Sequence, residues 1–270
     1  MTRSMREAFV HPLAAVDPEA KLGDGAEIGP FAVIGPHVTL GDRVKIHSHV
    51  VISGHTEIGE GCEIYPFAVL GGPPQDKKYR GEESRLVIGA HNIIREHVTM
   101  NSGTEGGGNV TRVGSHGLYL TAAHVAHDCQ VGNHVILSNN ATLAGHVTVE
   151  DYAILSGLCA VHQFARIGAY AFVGGMSGVE NDVIPFGMVL GNRAVLAGLN
   201  IVGLKRHGFD REQIHALRKA YRLLFSQEGT LQERLDDVDK MFPADAAVQR
   251  IVAFMRAKAD RSYCVPRSQA

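Results

Sequence analysis

Aliphatic side chains recur along this chain at every sixth position. Read in steps of six from Val16, the series runs Val16, Leu22, Ile28, Ile34, Leu40, Ile46, Ile52, Ile58, Ile64 and Leu70. It resumes at Ile88, Ile94 and Met100. It resumes again at Val113 and continues through Tyr119, Val125, Val131, Leu137, Leu143, Val149, Leu155, Val161, Ile167, Val173 and Val179. Val, Ile and Leu make up about a quarter of the chain yet fill 23 of these 25 slots, so the period is not accidental.

A helix would repeat near 3.6 residues and a simple strand near two. Six fits neither. It fits a triangular coil of three short parallel strands, each side one hexapeptide long and its aliphatic residue pointing inward. Glycine often follows the aliphatic residue (Gly29, Gly35, Gly41, Gly59, Gly89, Gly114, Gly132, Gly168, Gly174). At a corner a Cβ would crowd the backbone or demand a strained φ. Two segments break the register, at about residues 71–86 (GGPPQDKKYRGEESRL) and 101–112 (NSGTEGGGNVTR). Rich in Gly, Pro or charge, they read as loops projecting from the coil, and loops on a rigid scaffold carry function disproportionately. Near residue 192 the period stops. FDREQIHALRKAYRLLFSQ then places Ile214, Leu217, Tyr221 and Leu224 at helical spacing behind Asp210 as N-cap, and LQERLDDVDKMF and DAAVQRIVAFMRAKA follow as further amphipathic helices. The expected organisation is a mainly β, parallel β-helix over residues 1–191 and an α-helical C-terminal domain over 192–270.

Composition narrows the function. A formal net charge of −2 gives no field for nucleic acid. No run reaches the ~18 apolar residues of a transmembrane segment, and MTRSMREAFVHPLAAV lacks the apolar core of a signal peptide. The four cysteines, Cys62, Cys129, Cys159 and Cys264, form no CxxC pair and fit a reducing cytoplasm.

The fifteen histidines change the picture. Stacking at eighteen residues per coil brings His127, His146 and His162 near one edge, with Gly145 and Gln163 beside them and His124 on the preceding corner. His127 precedes Asp128, and a carboxylate that orients an imidazole makes a general base. His116 and His134 read as outward polar wall residues. Histidines on adjacent coils also fit zinc, which needs three converging ligands.

The segments IGPFAVIGPHV, QDKKYRGE, HVAHDCQVGN, NNATLAGHV, AVHQF, VGGMSGV and NIVGLKRHGF resemble the bacterial UDP-N-acetylglucosamine 3-O-acyltransferases over nearly the whole chain. The resemblance implies a left-handed coil and a homotrimer. It implies transfer of a 3-hydroxyacyl chain from acyl carrier protein to UDP-N-acetylglucosamine, the first step of lipid A biosynthesis. No metal and no freely bound cofactor is implied, because the acyl group arrives on the phosphopantetheine of acyl carrier protein. It makes His127 the base, Asp128 its partner and the Gly145 amide the oxyanion donor. Asp76 and Lys78 would hold the sugar. His124, His146, His162 and Gln163 would line the sugar, diphosphate and acyl-phosphopantetheine pocket, and Asn200 and Arg206 would contact nucleotide and phosphate. Gly175 matches a hydrocarbon ruler and implies a long acyl chain. Lys205, Arg206, Arg211, Arg218, Lys219 and Arg222 form a basic region suited to acidic acyl carrier protein.

Val202, in NIVGLKR, departs from the family pattern NIEGLKR. A carboxylate there would bear on acceptor recognition, so the alternative is transfer to a 3-amino analogue, forming an amide. Remoter alternatives are another hexapeptide acyltransferase, a zinc β-helix carbonic anhydrase and a non-catalytic solenoid, which would show ranks of Thr on one face.

Overall fold

In a computed structural model, residues 7–267 are described. The expected domain limits at residues 1 and 270 lie outside them. Short strands coil into a prism with three faces of parallel strands. The first face starts at Phe9–Val10, the second at Ala15–Val16 and the third at Lys21–Leu22, and each recruits the next strand one coil later. Register follows the eighteen-residue coil, as in Leu137↔Leu155, Leu143↔Val161 and Val131↔Val149.

Every position of the six-residue series from Ile28 to Val179 is buried inside the prism, whereas Val16 and Leu22 at its open end are half-buried. Tyr119 is the one aromatic residue in the series and is fully buried. Its ring fits because Gly117 has no side chain; a Cβ there would lie 2.7 Å from the Tyr119 hydroxyl.

The corners correct one expectation. Except at Gly71 (φ 76°), where the first loop leaves, the glycine after the inward aliphatic residue is not in the left-handed region; it is needed for close approach. A Cβ on Gly23 would lie 2.4 Å from the Gly41 carbonyl carbon, and one on Gly114 2.4 Å from the Gly132 carbonyl oxygen. The left-handed φ falls two residues later, and non-glycine residues mostly hold it: Phe31 (59°), Asp128 (62°), His134 (56°) and His146 (61°) among them. Histidine and aspartate are among the side chains that tolerate this conformation best. Six of the fifteen histidines sit there: His49, His91, His97, His116, His134 and His146. Coils stack about 4.8 Å apart, which is also a ring-stacking distance. His91, His116, His134, Tyr152, Tyr170 and Phe186 therefore form a ladder on the third-to-first edge, with centroids 4.6 to 5.6 Å apart. His116 and His134 do face outward, but as members of this ladder.

The first loop is narrower than its sequence limits, because Val69–Gly72 and Arg85–Ile88 are both strands. It leaves the second-to-third edge. The second leaves the same edge one coil later, between Thr99–Asn101 and Val110–Val113, and holds a 3-10 turn at Glu105–Gly107. After Val179, strand Gly187–Leu190 extends the first face and Val195–Leu199 closes it antiparallel. Four helices follow: α1 (Ile201–Arg206), α2 (Arg211–Leu224), α3 (Leu231–Met241) and α4 (Ala246–Arg256). Asp210 caps α2 in a capping box with Gln213, as its sequence position implies. Arg166 ties α4 to the prism, donating to the Phe254 carbonyl at 3.2 Å with its guanidinium carbon 4.3 Å from that ring's centroid.

Candidate functional site

The second-to-third edge concentrates polar chemistry where both loops emerge. Asp128 occupies the left-handed corner, so its side chain turns back under the second loop and is 1% exposed. Burying a carboxylate is costly unless hydrogen bonds satisfy it. Here Oδ1 accepts from the Thr104 amide at 2.7 Å, and Oδ2 accepts from the Thr104 hydroxyl at 2.6 Å. The Asp128 amide donates to the Thr111 hydroxyl at 2.8 Å. Gly107 closes over the group; a Cβ there would lie 2.0 Å from the Asp128 carboxyl carbon.

The Oδ2 atom also lies 2.8 Å from His127 Nδ1. A carboxylate can only accept, so Nδ1 carries the proton and Nε2 is left as a free base. The ring lies directly against Gly145: a Cβ at that residue would be 2.6 Å from His127 Nε2, so glycine is required by proximity. The Gly145 carbonyl accepts from the Phe164 amide at 3.2 Å, and among the described residues the Gly145 amide has no protein acceptor. A lone pair on Nε2 beside an unused amide can deprotonate a hydroxyl and receive an oxyanion.

His146 stands edge-on to His127, with centroids 5.2 Å apart, and its Nε2 is 3.5 Å from Asp128 Oδ2. Its other side stacks on Phe164 at 4.5 Å. Burial holds its pKa below the ordinary value, and the Asp128 charge only partly opposes this. His124, on the coil's previous strand, contacts the Thr99 hydroxyl through Nδ1 at 2.7 Å. Burial depresses its pKa too, and His127 adds to the effect. Both rings are therefore held toward their neutral, hydrogen-bonding form. In the first loop Asp76 accepts from the Lys78 amide at 2.9 Å, which lowers its pKa; His127 and His146 lower it further, so the loop carries this carboxylate into their field. His127, Asp128 and His146 offer ligand atoms within 4.8 Å of one another, a set that could hold a divalent ion.

Comparison with known proteins is decisive. The acyl-[acyl-carrier-protein]--UDP-N-acetylglucosamine O-acyltransferase of Caulobacter vibrioides is 55% identical over 257 residues, covering 95% of this chain and 98% of that protein. The protein of the same description from Rhizobium johnstonii is 47% identical, covering 98% of each. The chain belongs to the UDP-N-acetylglucosamine O-acyltransferase family. Residues 182–264 match the family profile described as "Udp N-acetylglucosamine O-acyltransferase; Domain 2", and residues 19–54 and 37–72 match the bacterial transferase hexapeptide. The solved UDP-N-acetylglucosamine acyltransferase of Francisella novicida superposes with a TM-score of 0.93 at 36% identity, covering 96% of this chain and 95% of that one. The enzyme from Acinetobacter baumannii does so with a TM-score of 0.92 at 39% identity, covering 96% and 100%. The prism is the family's left-handed parallel β-helix, with helices at its C-terminal end.

The remaining residues named from this acyltransferase pattern divide between edges. His162 and Gln163 lie on the His127 edge, one coil beyond Gly145, and are exposed. Asn200 lies on the third-to-first edge: its side-chain nitrogen donates to the Tyr170 carbonyl at 2.9 Å, and its side-chain oxygen caps α1 through the Gly203 amide at 3.0 Å. Arg206 ends α1 beside this edge, and Val202 on the same helix is 62% exposed. Within one chain the third face separates these residues from His127. Gly175 lies in the turn between Phe172–Val173 of the first face and Gly178–Val179 of the second, on the first-to-second edge, so it lies across the second face from the histidines rather than stacked above them. Sequence reasoning missed Thr104, Thr111 and Gly107, the residues that make Asp128 a buried, oriented carboxylate. Their signal was faint: a Thr-Glu-Gly-Gly-Gly run whose register against residue 128 depends on where the loop re-enters the coil.

Proposed function

We propose that this enzyme transfers a 3-hydroxyacyl group from acyl carrier protein to the glucosamine 3-hydroxyl of UDP-N-acetylglucosamine, opening lipid A biosynthesis, with His127 as general base. The observation that carries the proposal is the buried Asp128–His127 pair with its free Nε2 over Gly145. Nε2 removes the hydroxyl proton as the sugar oxygen attacks the thioester carbonyl. The carbonyl oxygen gains charge and meets the Gly145 amide, a kind of contact worth ~10²–10³ in rate. Collapse of the adduct expels the phosphopantetheine thiolate, which recovers the proton from His127. The thioester is already activated, so this route needs no covalent enzyme nucleophile, metal or freely bound cofactor. The relatives' names favour the hydroxyl acceptor over its amine analogue.

Asp76 and Lys78 approach from the N-terminal side of His127 and hold the sugar; His124, His146, His162 and Gln163 line the pocket that takes the sugar, the diphosphate and, on the C-terminal side, the acyl-phosphopantetheine. The active assembly is a homotrimer. Phe31, Phe67, Leu158 and Met176 are exposed along the first-to-second edge, and Met176 is 74% exposed. Three prisms meeting on this apolar edge would set the second face of one chain beside the first face of the next. The His127 edge then meets the neighbour's edge, bringing Asn200 and Arg206 to the nucleotide and diphosphate. The wedge between the two faces receives the acyl chain, whose tail reaches toward Gly175. Acyl carrier protein docks on α2, where Arg211 and Lys219 border a surface hollow of about 470 Å³. The four free, buried cysteines fit a reducing cytoplasm. Among the described residues no helix is long and apolar enough to cross a membrane.

The test is His127→Ala, assayed with acyl carrier protein thioesters and both acceptors by product mass spectrometry. The expected result is an ester product from the parent enzyme and a fall in kcat of at least the ~10²–10⁴ of a lost general base. A variant keeping more than about a tenth of parental turnover would overturn the role of His127.

A further inference from the structure

The chain after α4 returns to the prism and is fastened on both sides. The Asp182 amide donates to the Ser262 carbonyl and the Cys264 amide to the Asp182 carbonyl, each at 2.8 Å. Asp182 is fully buried, its carboxylate gripped by the Arg166 amide at 2.8 Å and Nε at 2.7 Å. The Tyr263 hydroxyl donates to the Met255 carbonyl at 2.8 Å. Arg261 is thereby laid over the His127 edge, one coil beyond Gly145.

Its guanidinium makes two contacts there. One nitrogen lies 2.6 Å from His162 Nδ1, and Nε–H donates to the Gln163 carbonyl at 3.1 Å. His162 Nδ1 also lies 3.2 Å from that carbonyl, so it could donate there or accept from Arg261. The distances decide. A guanidinium has only donors, and a proton on Nδ1 would point at an N–H 2.6 Å away. The longer contact has a carbonyl already served by Arg261. Nδ1 is the acceptor, the proton is on Nε2, and Nε2 has no protein partner among the described residues.

We infer that Arg261 is a positioning residue that locks His162 in its Nε2–H tautomer, presenting a hydrogen-bond donor to an oxygen of the acyl donor. The choice of substrate rests on the proposed function. The loop carrying Asp76 and Lys78 lies on the N-terminal side of His127, whereas His162 lies on the C-terminal side, where the acyl chain leaves the reacting carbonyl. The family resemblance named His162 but gave no role to residue 261.

Two measurements test this. The first uses free protein labelled with ¹⁵N-histidine and needs no substrate. In the parent at alkaline pH, His162 should show a protonated Nε2 and a bare Nδ1. In Arg261→Ala the Gln163 carbonyl becomes the free acceptor, and the ring should move toward the Nδ1–H form. Arg261→Lys, which still offers only donors, should keep the parental signature. A protonated Nδ1 in the parent, or identical spectra in parent and Arg261→Ala, would overturn the inference. The second is kinetic. Arg261→Ala should raise KM for the acyl-carrier-protein thioester by about threefold to tenfold, the effect of one misaligned hydrogen bond, and leave KM for the nucleotide sugar unchanged. An unchanged KM for the thioester would remove the assigned partner. Parental turnover is recorded in the same assay, so a parent inactive on these substrates sinks the function and leaves the tautomer result standing.

Discussion

The residue whose role is most exposed to test is Gly175. A Cβ there would lie 3.4 Å from the Gly157 carbonyl oxygen and 4.0 Å from Ser156 Cβ, ordinary contacts, and its φ is not in the left-handed region. The prism therefore does not need glycine at this position as it does at Gly145 or Gly114. Gly175→Met should fold normally and project its side chain from the inner edge of the second face. If the acyl chain ends there, preference shifts to donors several carbons shorter, because each methylene left unburied forfeits ~0.8 kcal/mol. A rate that fell equally for all donor lengths would make Gly175 no ruler. The contrast with Gly145 shows what sequence can and cannot tell at this scale. His127, Asp128 and Gly145 were legible because a chemical pattern and a coil period coincide on them. Thr104 was not, because its contact with Asp128 is set by how an irregular loop folds back. Asn200 was named as a ligand contact; that its side chain also caps α1 and donates to the Tyr170 carbonyl is visible only once the helix is placed.

At the scale of elements, the period of six predicted every strand of its series and the burial of its inward residues from Ile28 onward. The helices α2, α3 and α4 were legible from apolar spacing, and α2 also from its Asp210 cap. The antiparallel strand Val195–Leu199 and the short helix α1 were not, since neither follows the hexad nor is long enough to show a helical period. The strand carrying His124 and the corner carrying His146 make the elements pH-sensitive. Both histidines have folded pKa values depressed below the ordinary ~6.5 by burial. Below that pH the unfolded chain binds protons that the folded one refuses, so stability is full above about 6.5 and declines as pH falls through the folded values. The melting temperature should therefore drop between pH 7 and 5, and His124→Gln, which cannot charge, should flatten the drop. Parallel curves for parent and variant would show that His124 is not a source of the dependence.

At the scale of the whole molecule, one chain does not bring together every residue the family pattern assigns to the substrate. His127 and Gly145 stand on one edge and Arg206 on another, with a face of the prism between them. Closed rotational symmetry is the usual way identical chains complete such sites, and the exposed apolar edge gives the axis a place to form. The arrangement predicts complementation. Chains carrying His127→Ala keep Arg206, and chains carrying Arg206→Ala keep His127. Either variant alone has no complete site. After unfolding and reassembly as an equal mixture, random pairing around the ring unites an intact His127 with a neighbour's intact Arg206 at roughly one interface in four. Activity should therefore rise from the level of the separate variants to about a quarter of the parent's, and a threefold mass should be seen by light scattering. Pairing His127→Ala with Lys78→Ala should rescue nothing, because Lys78 lies in the same chain's first loop, whose Asp76 lies close enough to His127 and His146 to interact with both. Rescue by the Lys78 variant and not by the Arg206 variant would reverse the assignment of edges, and a fully active monomer would remove the shared site.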